Sequence, residues 1–231
     1  MQEPLVFLPG MMCDARLFSP QIAAFSHDRA VMTIPLTGHD TMTELATSAL
    51  AIAPPRFALA GLSMGGIVAM EMMRQAPRRI SRLALLDTNP LADPPEKAEL
   101  REAQVARAQN GALEQVMRDE MKPNYLSDGP RRAAILDLCM DMAGDLGPQV
   151  FADQSAAIQH RPDQSGTLKT VRVPALVLCG EDDRLCPVSR HELMHKLIPG
   201  SQLAVIPGAG HMPTLEQPEQ TNRKLKKWLT Q

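Results

Sequence analysis

A serine placed between glycines is the feature of this sequence that most directly predicts chemistry. The segment Gly61-Leu62-Ser63-Met64-Gly65 follows an apolar run and opens a helix-like stretch. Because the turn from a strand into a helix is tight, only residues without bulky side chains fit two positions before and two positions after the serine. Such a turn lifts the hydroxyl to the N-terminus of the helix, where free N–H groups favour developing negative charge. Ser63 is therefore predicted to be a nucleophile.

Along the chain, strand-like segments alternate with helix-like segments. These elements are expected to position the serine. Apolar runs closed by glycine or proline predict strands at residues 5–8, 30–36, 57–62, 83–86, 175–179 and 203–206. Helical patterns lie between and after them, at residues 16–25, 41–53, 64–75, 187–197 and 219–229. Continuous apolar strands between helices are typical of a parallel sheet that is covered on both faces. The sequence thus predicts an α/β protein with a doubly wound parallel sheet of about six strands.

Residues 91–165 interrupt this alternation. They contain no convincing strand, and they predict helices at about 95–109, 112–122, 130–145 and 148–160. An all-helical insertion in an α/β chain is predicted to form a cap over one edge of the sheet, and a helical subdomain without a role in binding is the alternative. The predicted division is a core of residues 1–90 and 166–231 with a cap of residues 91–165.

Composition and charge exclude several classes of function. The 231 residues include 24 Lys and Arg against 26 Asp and Glu, a formal net charge of -2, which argues against a nucleic-acid partner. No segment is long and apolar enough to span a membrane, and no basic stretch precedes the first apolar run, so no secretory signal peptide is predicted. The four cysteines lack metal-ligand spacing and are expected to be free thiols of a cytoplasmic protein.

In the chain outside residues 91–165, these features resemble the serine hydrolases of the α/β-hydrolase fold, in which nucleophile, acid and histidine follow in that order. The segment Gly180-Glu181-Asp182-Asp183-Arg184-Leu185-Cys186-Pro187 matches the family's Gly-x-x-Asp-x-x-x-Pro pattern, and the resemblance implies Asp183 as the acid. The segment Pro207-Gly208-Ala209-Gly210-His211 matches the family's Gly-x-Gly-His ending, which implies His211 as the base. The histidine would take the proton of Ser63, and the acid would orient the imidazole and stabilise its cation.

The resemblance also implies an oxyanion hole of two backbone N–H groups. One belongs to Met64, directly after the nucleophile, and the other is assigned to Met11, in the loop after the first strand. Gly10 and Met12, beside Met11, are expected to bind substrate. Family members often have His-Gly where this chain has Pro9-Gly10.

A second departure from the family concerns the start of the sheet. Relatives usually have two further strands, and here only four residues precede Leu5. The sheet is therefore expected to begin at the family's third strand and to have the spatial order 2-1-3-4-5-6, with all strands parallel.

The implied reaction is acyl transfer from a small carboxylic ester to water through an acyl-enzyme on Ser63. A lactone or a thioester would use the same groups, and no metal or organic cofactor is expected. A cofactor-free lyase, a carbon–carbon bond hydrolase and a ligand sensor that retains the triad stay open as alternatives. The sequence does not decide between a monomer and a homodimer.

Several polar residues have weaker predictions. Asp87 ends the fourth predicted strand, where some relatives carry an alternative acid, and a role in a polar network is preferred for it. Glu216 is predicted to brace the histidine loop, and the role of His39 is left open. Arg101 and Arg107 are predicted to lie on solvated helix faces, with contact to a substrate carboxylate as the alternative.

Overall fold

A six-stranded parallel sheet forms the centre of the molecule in the computed structural model, which describes residues 2–231. The strands are β1 (Leu5–Leu8), β2 (Val31–Thr33), β3 (Phe57–Leu62), β4 (Ile80–Leu86), β5 (Ala175–Gly180) and β6 (Gln202–Ile206). Their spatial order is β2-β1-β3-β4-β5-β6, and every neighbouring pair is parallel. This arrangement confirms the predicted fold class and strand order.

The helices lie between the strands, in the long connection from β4 to β5, and after β6. In chain order they are α1 (Ser19–Phe25), α2 (Met42–Ile52), α3 (Met64–Gln75), α4 (Ala98–Arg107), α5 (Leu113–Gln115), α6 (Arg132–Gln159), α7 (Ser165–Leu168), α8 (Val188–Leu197), α9 (Pro213–Glu216) and α10 (Pro218–Leu229). Of these, α3 has a special place, because only Ser63 separates it from the end of β3.

Apolar side chains cover both faces of the sheet. On one face, α2, α3 and α8 contribute Leu45, Val68 and Met194 to a buried cluster. On the other face, α1 and α10 contribute Phe25 and Trp228. Each buried side chain of this kind stabilises the fold by about 1.5–3 kcal/mol. The strands can therefore be apolar along their whole length, which is why the sequence pattern is continuous rather than alternating.

Residues 91–165 form helices and turns, and the structure describes no strand within them. The helical segment that begins with α4 changes direction at Asn110-Gly111, where Gly111 has a φ of 91°. Helix α6 is interrupted at Gly147, which has a φ of 78° and is followed by Pro148. Both interruptions lie where glycine and proline punctuate the sequence. Apolar residues of this insertion join both buried clusters, so it packs against the core.

Across residues 2–231, no helix combines the length and the apolar character needed to cross a membrane. The four cysteines form no disulfide, as expected; three are buried and Cys186 is partly buried.

Candidate active site

Ser63 occupies a strained turn between β3 and α3. Its φ of 55° and ψ of -116° lie outside the regions that residues with a Cβ prefer, at a cost of about 1–3 kcal/mol. Two hydrogen bonds stabilise the turn: the Ser63 N–H donates to Leu86 O at 2.9 Å, and Thr88 Oγ1 donates to Ser63 O at 2.7 Å. Both partners lie at the end of β4 or just beyond it, so the neighbouring strand positions the serine.

Close backbone packing explains the two glycines that flank this serine. A Cβ on Gly61 would lie 2.2 Å from Gly65 O, and a Cβ on Gly65 would lie 2.0 Å from Leu8 O. Both distances are far below van der Waals contact, so any other residue would force the backbone apart. The steric argument made from the spacing therefore describes the turn correctly.

Hydrogen bonds join Ser63, His211 and Asp183 in one chain. His211 Nε2 lies 2.9 Å from Ser63 Oγ, and His211 Nδ1 lies 2.8 Å from Asp183 Oδ2. The other oxygen of Asp183 accepts the N–H groups of Leu185 at 2.8 Å and Cys186 at 3.0 Å. In this arrangement the imidazole can accept the serine proton while the carboxylate stabilises the resulting cation.

The electrostatics of Asp183 suit this arrangement. Burial alone would raise the pKa of Asp183, but His211 and the two loop N–H groups outweigh burial and hold the pKa below its usual value. Asp183 is 4 % exposed and His211 is 3 % exposed. The neighbouring Glu181 and Asp182 are exposed, so Asp183 is the carboxylate of this loop that faces the histidine.

The loop that carries His211 is fixed from two sides. The His211 N–H donates to Tyr125 O at 2.7 Å. The Glu216 carboxylate accepts N–H groups of Gly210, Met212 and Ser127, at distances of 2.8 to 3.0 Å. These bonds confirm the bracing role predicted for Glu216. The contributions of Tyr125 and Ser127, which belong to the helical insertion, had no signal in the sequence.

The loop after β1 lies against the serine turn. A Cβ on Gly10 would be 3.5 Å from the Cβ of Ser63. Met11 and Met64 line the pocket at Ser63, and no acceptor within residues 2–231 takes the backbone N–H of either residue. These two N–H groups are therefore available to a negatively charged oxygen bound beside Ser63.

Met12 does not lie where its expected role in substrate binding would place it. Its side chain is fully buried in the core and is absent from the pocket lining. Its φ is 55°, and its N–H donates to Gln154 Oε1 at 2.8 Å. The amide of Gln154 in turn donates to Leu36 O at 2.8 Å. This left-handed conformation turns the Met12 side chain inward, and no local pattern in the sequence predicts it.

A cavity of about 180 Å³ lies above Ser63. The core contributes Gly10, Met11 and His211 to its wall, and the helical insertion contributes Tyr125 and a group of charged residues. Arg101 belongs to that group, although its predicted location is a solvated helix face. The prediction is wrong for Arg101, because the insertion folds its helix over the pocket and leaves the Arg101 side chain 16 % exposed.

Three potential metal ligands lie together at this site. Atoms of Asp183, Cys186 and His211 lie within 4.8 Å of one another. Both ring nitrogens of His211 already face Ser63 or Asp183. Burial and the Asp183 charge raise the pKa of the Cys186 thiol well above its usual value, so the thiol stays protonated. The arrangement is suited to proton transfer rather than to metal coordination.

Asp87 is a second buried carboxyl group near Asp183. Its Oδ1 accepts the N–H of Gly180 at 2.8 Å, and its φ is 45°. Burial, and after it the Asp183 charge, raise the pKa of Asp87 well above its usual value. Among the described residues, His211 bonds to Asp183 and not to Asp87. The preferred interpretation of Asp87, a member of a polar network, agrees with these contacts.

We expect Asp87→Asn to increase the free energy of unfolding near neutral pH. The unfolded Asp87 loses its proton above about pH 3.9, whereas the folded residue keeps its proton to a higher pH. Rising pH therefore favours the unfolded wild-type chain, and each unit of pKa difference is worth about 1.4 kcal/mol. Asparagine carries no proton to lose and can still accept the Gly180 N–H.

Urea unfolding of wild type and Asp87→Asn from pH 4 to pH 8 measures this effect. The stability difference between the two proteins should grow as pH rises and shrink toward pH 4. Asp182→Asn, at an exposed position, is the control and should show no such trend. A difference that is constant across the range contradicts the expectation.

The chain has relatives among known proteins. Residues 5–224 match the model of the alpha/beta hydrolase family. The pimeloyl-[acyl-carrier protein] methyl ester esterase of Nitrosomonas europaea is 26% identical over 94% of this chain and 91% of its own length. A putative 2-succinyl-6-hydroxy-2,4-cyclohexadiene-1-carboxylate synthase of Bacillus subtilis is 26% identical over 99% of this chain and 86% of its own length.

A solved structure extends the likeness to three dimensions. A thermophilic esterase from Thermogutta terrifontis, with malate bound, superimposes with a TM-score of 0.90. It is 28% identical in sequence, and the match covers 100% of this chain and 90% of that chain. With a family model that spans nearly the whole sequence and a serine turn of the expected form, the chain belongs to the alpha/beta hydrolase family.

Proposed function

We propose that this ester-acting hydrolase cleaves a small carboxylic ester through an acyl-enzyme on Ser63. The observation that carries the proposal is the chain of hydrogen bonds from Ser63 Oγ through the His211 ring to Asp183, with distances of 2.9 and 2.8 Å. A serine hydroxyl is a weak nucleophile until a base removes its proton, and this chain provides the base and its orienting carboxylate.

The steps of the proposed reaction follow from these positions. His211 Nε2 takes the Ser63 proton as Oγ attacks the ester carbonyl carbon. The carbonyl oxygen becomes an anion, and the N–H groups of Met11 and Met64 stabilise it. As the carbon–oxygen bond to the alcohol breaks, His211 returns the proton to the leaving alcohol. Water then repeats the sequence on the acyl-enzyme and releases the acid.

The relatives support an ester as the substrate. The proteins of Nitrosomonas europaea and Thermogutta terrifontis are named as esterases. Lactones and thioesters have the same acyl carbon and stay within the proposal. A cytoplasmic location is a further part of it, and the free thiols favour a reducing compartment.

A panel of short-chain esters, aryl esters, lactones and thioesters tests the proposed class of substrate. Wild type should hydrolyse at least one carboxylic ester, and a covalent acyl adduct on Ser63 should appear by mass spectrometry in rapidly quenched samples. Turnover without any acyl adduct, or turnover that survives loss of Ser63, contradicts the proposal.

A cofactor-free lyase is the second candidate. It is favoured by the Bacillus subtilis relative, whose name describes a synthase rather than an esterase. In such a reaction His211 and Ser63 would remove a proton from carbon instead of forming an acyl-enzyme. Loss of a small anion from the substrate, without ester cleavage, distinguishes this candidate in the same panel.

Gln154 is expected to position the proposed oxyanion hole. Its side chain is 1 % exposed and links the Met12 N–H to Leu36 O, directly beside Met11. Gln154→Leu should lower kcat by about tenfold and KM much less, since the Met11 N–H acts mainly in the transition state. It should also lower stability by about 2 kcal/mol, because two buried backbone groups lose their partner.

Steady-state kinetics and urea unfolding of the variants measure both effects. Gln154→Glu keeps an acceptor for the Met12 N–H and should retain more of kcat than Gln154→Leu. Gln149→Leu, at an exposed position on the same helix, is the matched control. Equal kcat values for Gln154→Leu and wild type contradict the positioning role.

A further inference from the structure

A buried group of charges forms part of the wall of the pocket above Ser63. Arg101 Nη2 lies 2.7 Å from Asp93 Oδ2, and Arg161 Nη1 lies 2.9 Å from Asp93 Oδ1. The side chains are 16, 7 and 5 % exposed for Arg101, Arg161 and Asp93, respectively. All three residues line the same cavity as Ser63 and His211. The charges are therefore within the space that a substrate would enter.

The charges in this group do not balance. Two guanidinium cations face one carboxylate, and each oxygen of Asp93 is already bound by one arginine. Among the described residues that line the cavity, Asp93 is the one acidic side chain, while the exposed Lys97 adds a further cation at its rim. One buried positive charge thus has no counter-charge, a state that is costly in a protein interior.

The hydrogen bonds of the two arginines support the same conclusion as their charges. Arg101 Nε is buried and has no hydrogen-bond partner within residues 2–231. Arg161 is better satisfied, because its Nε donates to Leu91 O at 2.9 Å. Burial lowers the pKa of Arg161 against the attraction of Asp93, and the charge of Arg101 lowers it further. Another anion beside Arg101 would relieve the repulsion between the two guanidinium groups.

We propose that the pocket binds substrates that carry a carboxylate in addition to the ester, and that Arg101, supported by Arg161, holds this carboxylate. The inference rests on the proposed function, since it describes the acyl substrate of Ser63. A carboxylate brings one negative charge, which matches the one buried guanidinium that Asp93 leaves uncompensated. The planar guanidinium also matches the two oxygens of a carboxylate.

Monomethyl glutarate and dimethyl glutarate form a suitable pair of substrates, because they differ mainly in one negative charge. Wild type should show the higher kcat/KM with monomethyl glutarate. In Arg101→Gln, the ratio of kcat/KM for the monomethyl over the dimethyl ester should fall by about tenfold to a hundredfold, as expected for loss of a charged hydrogen bond. Arg101→Lys retains the charge, so its ratio should lie between those of wild type and Arg101→Gln.

Arg107→Gln is the matched control. Arg107 lies on the same helix α4 and forms an ion pair with Glu120, but it is exposed and does not line the cavity. Its substitution should leave the ratio for the two esters as in wild type. A ratio near one in wild type, or an equal loss with both esters in Arg101→Gln, overturns the inference and leaves ester hydrolysis intact.

Binding of glutarate separates failure of this inference from failure of the proposed function. Calorimetry with Ser63→Ala should detect glutarate, and adding Arg101→Gln to the same background should weaken binding by about tenfold or more. If neither methyl ester is cleaved, ester hydrolysis is overturned for this pair, whereas glutarate binding that depends on Arg101 still supports the carboxylate site. Glutarate binding that is absent, or that is unaffected by Arg101→Gln, overturns the carboxylate site.

Discussion

Replacing Ser63 by alanine is expected to lower kcat for ester hydrolysis by about 10⁴- to 10⁶-fold, the range found when a triad nucleophile is removed. No acyl-enzyme can form without Oγ, and the His211 ring then has no proton to accept at that position. KM should change little, because the pocket keeps its other walls. Steady-state kinetics with the best ester of the panel measure the loss.

Covalent labelling gives an independent measure of the same prediction. A fluorophosphonate probe should modify wild type once, at Ser63, and should not modify Ser63→Ala. The alanine also removes no stabilising contact of the Ser63 backbone, so the variant should remain folded. Ser155→Ala, at a buried serine outside the pocket lining, is the control and should be labelled like wild type. A probe adduct on Ser63→Ala contradicts the assignment.

Asp183→Asn should have the second largest effect, a fall in kcat of about a hundredfold to 10⁴-fold. The amide keeps the shape of the carboxylate, but it favours the wrong imidazole tautomer and cannot stabilise the imidazolium. The loss should appear in kcat rather than in KM, because Asp183 lies behind His211 and is not in the cavity lining.

The two acidic neighbours of Asp183 provide matched controls in the same loop. Glu181→Gln and Asp182→Asn remove equal charge at exposed positions, and each should stay within about tenfold of wild type. If Asp182→Asn loses activity and Asp183→Asn retains it, the acid of the triad is Asp182 instead of Asp183. If all three variants are active, Asp87 is the carboxyl group that should be replaced next, because it lies beside Asp183.

The strands and their order could be predicted because the relevant signals are local. Apolar runs closed by glycine or proline identify each strand, and helices between them require parallel pairing. The bounds were less accurate. The second strand, predicted over residues 30–36, is β2 (Val31–Thr33). Its backbone pairing with β1 ends at the bond from the Ile34 N–H to Phe7 O, since Pro9, the next residue on the β1 side, has no N–H to donate. The fourth strand begins at Ile80 rather than at residue 83. The prediction placed its start too late because the polar Arg82 interrupts the apolar pattern.

Some residues of the candidate site could be predicted from a local sequence pattern, and others could not. Ser63, Asp183 and His211 each lie in a short segment with a recognisable pattern of small residues. Gln154 and the charged group with Arg101 have no such pattern, because their roles arise from contacts across the fold. Gln154 lies 142 residues from its partner Met12. The inward turn of Met12 likewise depends on this distant partner, so the expectation for its side chain was wrong.

The hydrogen bonds that join the His211 loop to the helical insertion have a consequence for protein engineering. Tyr125 O holds the backbone of His211, and Ser127 binds the Glu216 carboxylate that shapes the loop. If residues 91–165 were exchanged between relatives, the exchange would replace the pocket wall. It would also replace the groups that bond to the His211 loop. Chimeras should retain turnover only where the donor segment supplies a carbonyl and an N–H at the same two places. Altering specificity by segment exchange thus requires the junction at Tyr125 and Ser127 to be conserved in the design.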